Sequence, residues 1–146
     1  MTANVAQVFL TDVDWAATLR GIGQALKPAG RLVFETRDPQ RRAWLGWNRE
    51  HTYRSQNIPG VGIVETWCDI TEANNEFVSF RWTHIFHADG AQLVSDSTLQ
   101  FRSCDEIETS LRDNGFTVED VRDAPDRPGR EFVFVAIVSD RSSKTE

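Results

Sequence analysis

The chain changes its hydrophobic period across one turn, Lys27-Pro28-Ala29-Gly30, and that change limits its fold more than any other feature. Before the turn, Trp15, Leu19, Ile22 and Leu26 recur at spacings of four, three and four, which puts them on one face of a helix predicted over Asp12 to Leu26. Thr11 or Asp12 caps its start, with Asp14 in the first turn, where negative charge is favoured. Pro28 and Gly30 stop it. After the turn, Leu32, Val33 and Phe34 form a short continuous apolar run. Such a run predicts a strand buried on both faces, as in a parallel sheet covered by helices. Helix, glycine turn and buried strand make half of a βαβ unit.

Further elements follow from the same signals. Pro39 to Trp47 reads as a second short helix with proline near its first turn. Arg49 to Gly62 is polar, contains Pro59, Gly60 and Gly62, and reads as a loop. "VGIVETWCDIT", "FVSFRWTHIFH" and "QLVSDSTLQFR" then alternate and are rich in β-branched and aromatic residues. Asn74-Asn75 and Asp89-Gly90 separate them, and Asp-Gly between alternating runs is a strong hairpin signal. The prediction is a three-stranded antiparallel meander from about Val61 to Arg102. Ser103 opens another helix, with Glu106 three residues on in a capping-box pattern, Ile107 and Leu111 facing inward, and Gly115 ending it. "FTVEDVRD" and "EFVFVAIVSD" are predicted strands, and "RSSKTE" a frayed tail. The whole is α/β with an antiparallel insertion, in one domain of 146 residues.

Charge and apolar content exclude several classes. Net charge is −6, which argues against nucleic acid, whose phosphates are bound through clustered Lys and Arg. No apolar run approaches the roughly 20 residues of a membrane span. The start "MTANVAQVFLTD" does not read as a secretory signal, and two cysteines without C-x-x-C spacing fit a reducing compartment. These features predict a cytoplasmic protein.

Several constellations have a plain structural alternative. His84 and His87, three apart in a strand, point to opposite faces and cannot share one metal ion. Gly21-Ile22-Gly23 sits inside a helical pattern, so close packing fits better than a dinucleotide fingerprint. Cys104 at a helix start is placed where a thiol pKa falls, though a structural thiol is favoured. On the meander, Trp67 shares a face with Glu65 and Asp69, and Arg81 with Ser79 and Thr83. Trp67 with Arg81 either walls a pocket for a small polar molecule or packs a partner subunit or helix. Glu35 and Arg37 point the same way at the carboxyl end of the first strand, where open α/β sheets bind ligands. The alternative there is a solvated strand end.

"NVAQVF", "WAATLRGIGQALKPAGRLVFETRDP", "STLQFRS", "SLRDNGFTVEDV" and the closing "EFVFVAIV" resemble the C-terminal half of a class I S-adenosylmethionine-dependent methyltransferase, from Asn4 to Val138. The family's usual turn is Pro-Gly-Gly where this chain has Pro28-Ala29-Gly30. The meander resembles the insertion of small-molecule N-methyltransferases, including sugar and glycine types. The resemblance implies a partial Rossmann-like sheet, S-adenosylmethionine as cofactor and a small-molecule acceptor. It implies cofactor contacts from Met1, Thr2, Ala3, Asn4 and Gln7, the segment after the family's fourth strand. Glu35 or His51 is then the candidate base, and Arg37, Trp67 and Arg81 line the acceptor side. The family's glycine-rich loop and second-strand acid have no counterpart here, so an enzyme inactive alone and a non-catalytic ligand-binding or dimerisation module both stay open. An unpaired edge beside Leu32 to Phe34 predicts a homo-oligomer.

Overall fold

A computed structural model describes residues 1–139; the predicted tail and the last residue of the final strand, Asp140, lie outside the described residues. The chain divides into two compact units, Met1–Arg41 with Gln100 onward, and Arg42–Leu99.

The first unit holds helix α1 (Asp12–Ala25), strand β1 (Arg31–Arg37), helix α3 (Cys104–Asp113) and strands β6 (Phe116–Asp123) and β7 (Glu131–Val138). Thr11 caps α1 by accepting from the Asp14 amide. Ser103 caps α3, and Glu106 returns the bond to the Ser103 amide, completing the capping box. The sheet order is β1-β7-β6, with both pairings antiparallel. Leu32, Phe34, Phe134 and Ala136 of the sheet meet Trp15 and Leu19 of α1 and Ile107 and Leu111 of α3 in one core. Phe34 and Phe134, cross-strand partners, stack at 5.2 Å, and Trp15 meets Phe34 edge-on at 5.6 Å.

β1 is not the two-face-buried parallel strand that its apolar run predicts. Leu32, Phe34 and Thr36 are buried, whereas Val33 between them is 46% exposed. Both helices pack on one face, so the strand alternates. Its described partner is the antiparallel β7, and residues 1 to 3 run along its other edge: the Met1 amine donates to Val33 O at 2.7 Å and the Ala3 amide to Glu35 Oε1 at 2.7 Å. A bulge between Val118 and Asp120 leaves Glu119 out of register, and Glu119 holds Arg31 through two bonds of 2.6 and 2.9 Å.

From Pro39 onward the chain departs from the sequence reading in two places. Pro39 to Trp47 is not one helix. Short 3₁₀ turns at Pro39–Arg41 and Ala43–Gly46 are separated by Arg42 in a left-handed conformation, φ 45°. The expected loop contains helix α2 (Arg49–Thr52) and strand β2 (Arg54–Ile58). With β3 (Gly62–Ala73), β4 (Phe77–Phe86) and β5 (Gln92–Gln100), the antiparallel sheet therefore has four strands in the order β2-β3-β4-β5, not three. The hairpin signals do mark turns: Asn75 and Gly90 have positive φ, 71° and 73°. Among the described residues no helix is long and apolar enough to cross a membrane.

Candidate functional site

The first unit gathers polar groups at the carboxyl end of β1. Glu35 and Arg37 leave on the face opposite the core. Register pairs Arg37 with Glu131, the first residue of β7, and Glu35 with Val133. Glu131 is 4% exposed, and charged side chains are rarely that buried without partners. Its Oε1 accepts from Asn4 Nδ2 at 3.0 Å and from Arg127 Nη1 at 2.9 Å. Arg127 also lies 4.0 Å from Glu35 Oε1 and 3.1 Å from the exposed Asp126. Arg37 Nη1 donates to Gln7 Oε1 at 2.9 Å. Burial lowers the Arg37 pKa, opposed by the charges of Glu131 and Glu35.

The residues before α1 that converge on this cluster carry local cost. Ala3 and Asn4 are both left-handed, at φ 57° and 56°. Asparagine tolerates that region, while alanine does so at about 1–2 kcal/mol. Asn4 is 3% exposed, and its Oδ1, like Glu131 Oε2, is buried with no hydrogen-bond partner among the described residues. Each such acceptor costs about 1–3 kcal/mol unless something outside the chain donates to it. Strain and unmet hydrogen bonds of this kind concentrate where a ligand is held. A cavity of about 10 Å³ between Gln7, Trp15, Thr36, Gln100, Arg102 and Ile107 has the room of one water.

A cavity of about 590 Å³ lies elsewhere in this unit, at the amino end of β1 between Leu26, Lys27, Ala29, Thr117 and Ile137. Its lining is mostly apolar and offers no convergence of titratable groups, so volume and chemistry disagree. The titratable groups gather instead at the carboxyl end of β1, which is the amino end of its antiparallel partner β7.

The structure thus brings Met1, Ala3, Asn4, Gln7, Glu35 and Arg37 into one neighbourhood, with the exposed Thr2 between them accepting from the Val5 amide at 3.3 Å. His51, Trp67 and Arg81 belong to the second unit. His51 is exposed on α2, its amide and Nδ1 both against Asn48 Oδ1. Trp67 and Arg81 share a face of the four-stranded sheet, since Trp67 pairs with Thr83 and Asp69 with Arg81. Each already has a neighbour: Arg49 stacks over the Trp67 ring at 4.2 Å, and Arg81 holds Asp96 through bonds of 2.6 and 2.7 Å. The Trp67 indole donates to Asp69 at 2.8 Å. His84 bonds Thr66 Oγ1 at 2.9 Å, while His87 lies 3.5 Å from Glu65, so the two histidines serve different neighbours. Cys104 departs from the lowered thiol pKa that a helix start suggests. Burial raises it, as do Glu108 and Asp105. Sequence reasoning missed Glu131 and Arg127; the one signal for Glu131 is an acid opening an otherwise apolar strand, "EFVFVAIV".

The mixed α/β fold with antiparallel sheets is similar to about half of the fold of solved S-adenosylmethionine-dependent methyltransferases. No family model matches the chain, and no curated protein matches it significantly. Among solved structures it is similar to an S-adenosylmethionine-dependent methyltransferase from Clostridium acetobutylicum, at TM-score 0.73 and 11% identity over 95% of this chain and 56% of that one. It is also similar to the sugar N-methyltransferase KedS8 from Streptoalloteichus sp., at TM-score 0.71 and 14% identity, covering 94% of this chain and 54% of that one. CalS10 from Micromonospora echinaspora, an amino pentose methyltransferase with S-adenosylmethionine bound, matches at TM-score 0.60 and 16% identity over 94% and 57%. The chain spans little more than half the length of these proteins.

Proposed function

We propose that the chain is the acceptor-side portion of a cytoplasmic S-adenosylmethionine-dependent methyltransferase acting on a small-molecule nucleophile. The observation that carries this is the convergence of Asn4, Gln7, Glu35, Arg37 and Glu131 at the carboxyl end of β1, within a fold shared with such enzymes. When bound, the cofactor would supply an electrophilic sulfonium methyl for transfer to the acceptor, with the neutral thioether as leaving group. That chemistry asks for placement of two reactants more than for strong acid or base. The cluster fits a polar cofactor: two buried acceptor oxygens, Asn4 Oδ1 and Glu131 Oε2, have no donor among the described residues. In this reading Met1, Thr2, Ala3, Asn4 and Gln7 would hold it.

Glu35 is half-buried and tied to the Ala3 amide, so its carboxylate has a fixed direction. It is the first candidate to take the acceptor's proton, with His51 the second. Arg37 is the first unit's candidate for orienting the acceptor; Trp67 and Arg81 are candidates of the second unit, engaged there by Arg49 and Asp96. In any form of the protein that turns over, Glu35→Gln is expected to lower kcat by roughly 10²–10⁴ if Glu35 is the base. Unchanged kinetics would remove it.

The binding test comes first. Calorimetric titration with S-adenosylhomocysteine is expected to show saturable heat. No heat, and no rise in melting temperature, would leave a non-catalytic binding or dimerisation module as the better reading. Among the described residues, residues 1 to 3 lie along the outer edge of β1, and a sheet edge not paired with a strand invites a second copy of the chain. Light scattering at micromolar concentration is expected to report a homo-oligomer, and a monomer would count against it.

A further inference from the structure

We infer that Asn4 and Glu131 together form a subsite for one neutral hydrogen-bond donor, a water or the O–H or N–H of a small molecule. Both side chains are more than nine-tenths buried, and they are tethered to each other through Asn4 Nδ2 and Glu131 Oε1. The oxygens left over, Asn4 Oδ1 and Glu131 Oε2, are both acceptors, and neither has a partner among the described residues. An amide oxygen and a carboxylate oxygen cannot satisfy each other. They can be satisfied by a group that brings hydrogens, and acceptor-only anions such as phosphate are excluded by the same chemistry.

Charge decides between neutral and ionic donors. Glu131 and Glu35 are met by Arg127, and Glu131 lies across the strand pair from Arg37, so the cluster holds two charges of each sign. Asp126 touches Arg127 from solvent, where its charge is screened. A further full charge at the buried oxygens would have no counterpart, whereas a neutral donor needs none. Register supports a recognition role. Glu131 stands beside Arg37 at the end of the sheet, next to the strand whose Glu35 faces the same side, so a donor held here is within the same cluster.

The ligand half of this inference rests on the methyltransferase reading; the donor half does not. Crystals of the protein without ligand, at a resolution that shows ordered solvent, are expected to place one water within about 3.2 Å of both Asn4 Oδ1 and Glu131 Oε2. Oxygens found dry, or paired with protein donors, would overturn the subsite. S-adenosylhomocysteine, whose ribose hydroxyls and adenine amine are neutral donors, is the probe for the second arm. Calorimetry with the wild type, Glu131→Gln and Asn4→Ser is expected to give at least tenfold weaker binding for each variant, with folding checked by circular dichroism. Asn4→Ser leaves the carboxylate in place and decides the matter if Glu131→Gln does not fold. Equal affinity in all three would reduce the subsite to a structural water and overturn its ligand role. A wild type that binds no S-adenosylhomocysteine would count against the methyltransferase reading, and the crystallographic result would then decide the subsite by itself.

Discussion

Phe134→Ala is expected to destabilise the first unit by about 3–5 kcal/mol, the range for removing a fully buried phenylalanine. Phe134 is 0% exposed and sits on the central strand of the β1-β7-β6 sheet. It stacks on Phe34 at 5.2 Å and meets Phe132 edge-on at 6.3 Å, so truncation strips two ring contacts as well as buried area. Trp15 holds Phe34 from α1, and its indole donates to Ser110 of α3 at 2.9 Å. That bond fixes the ring, so the helices cannot easily slide in to fill the space. Domains of this size are stable by only about 5–15 kcal/mol, so the loss is a large share. In urea the midpoint should fall by roughly 1–3 M with the slope unchanged. Phe134→Leu should lose clearly less, because most of the volume remains. A Phe134→Ala loss under about 1 kcal/mol would show that the stacked pair is not what joins the sheet to its helices.

Much of this unit was legible because its signals are local. The four-three-four spacing from Trp15 to Leu26 and the Ser103–Glu106 capping box each need one turn of chain, and both elements form where those residues say. What failed needed information from farther away. A continuous run such as Leu32-Val33-Phe34 is the same whether one face is covered or two; only the placement of α1 and α3 on one side exposes Val33. β2, Arg54–Ile58, is exposed along its whole length, so no burial alternation marks it; its strand state comes from pairing with β3. The site divides the same way. Glu35 and Arg37 are readable from strand polarity. Glu131 becomes a partner of Asn4 only when residues 127 apart in sequence meet. Trp67 and Arg81 do share a face, as alternation says, but Arg49 and Asp96, which occupy them, come from other elements.

The turn that ends α1 should respond in opposite directions at two adjacent positions. Gly30 has no unusual φ; its requirement is space. A Cβ there would lie 2.8 Å from Lys27 O and 3.1 Å from Leu26 Cβ. The first contact is with backbone, and the same carbonyl accepts the Gly30 amide at 2.8 Å, so it cannot turn away without losing that bond. Gly30→Ala is therefore expected to cost about 2–3 kcal/mol, near the top of the range for overpacking. Ala29 has the reverse problem. Its φ is 60°, in the left-handed region that disfavours a Cβ by about 1–2 kcal/mol, and the addition of glycine's unfolded-state freedom offsets about 0.4–1 kcal/mol of any relief. Ala29→Gly should thus stabilise by roughly 0.5–1 kcal/mol, the difference of those two effects. At about 2–4 °C per kcal/mol, melting should fall by roughly 4–12 °C for Gly30→Ala and rise by roughly 1–4 °C for Ala29→Gly. A neutral Gly30→Ala would mean that the turn opens to admit a methyl group. A destabilised Ala29→Gly would mean that unfolded-state entropy outweighs the left-handed strain, and that alanine suits this turn better than glycine does.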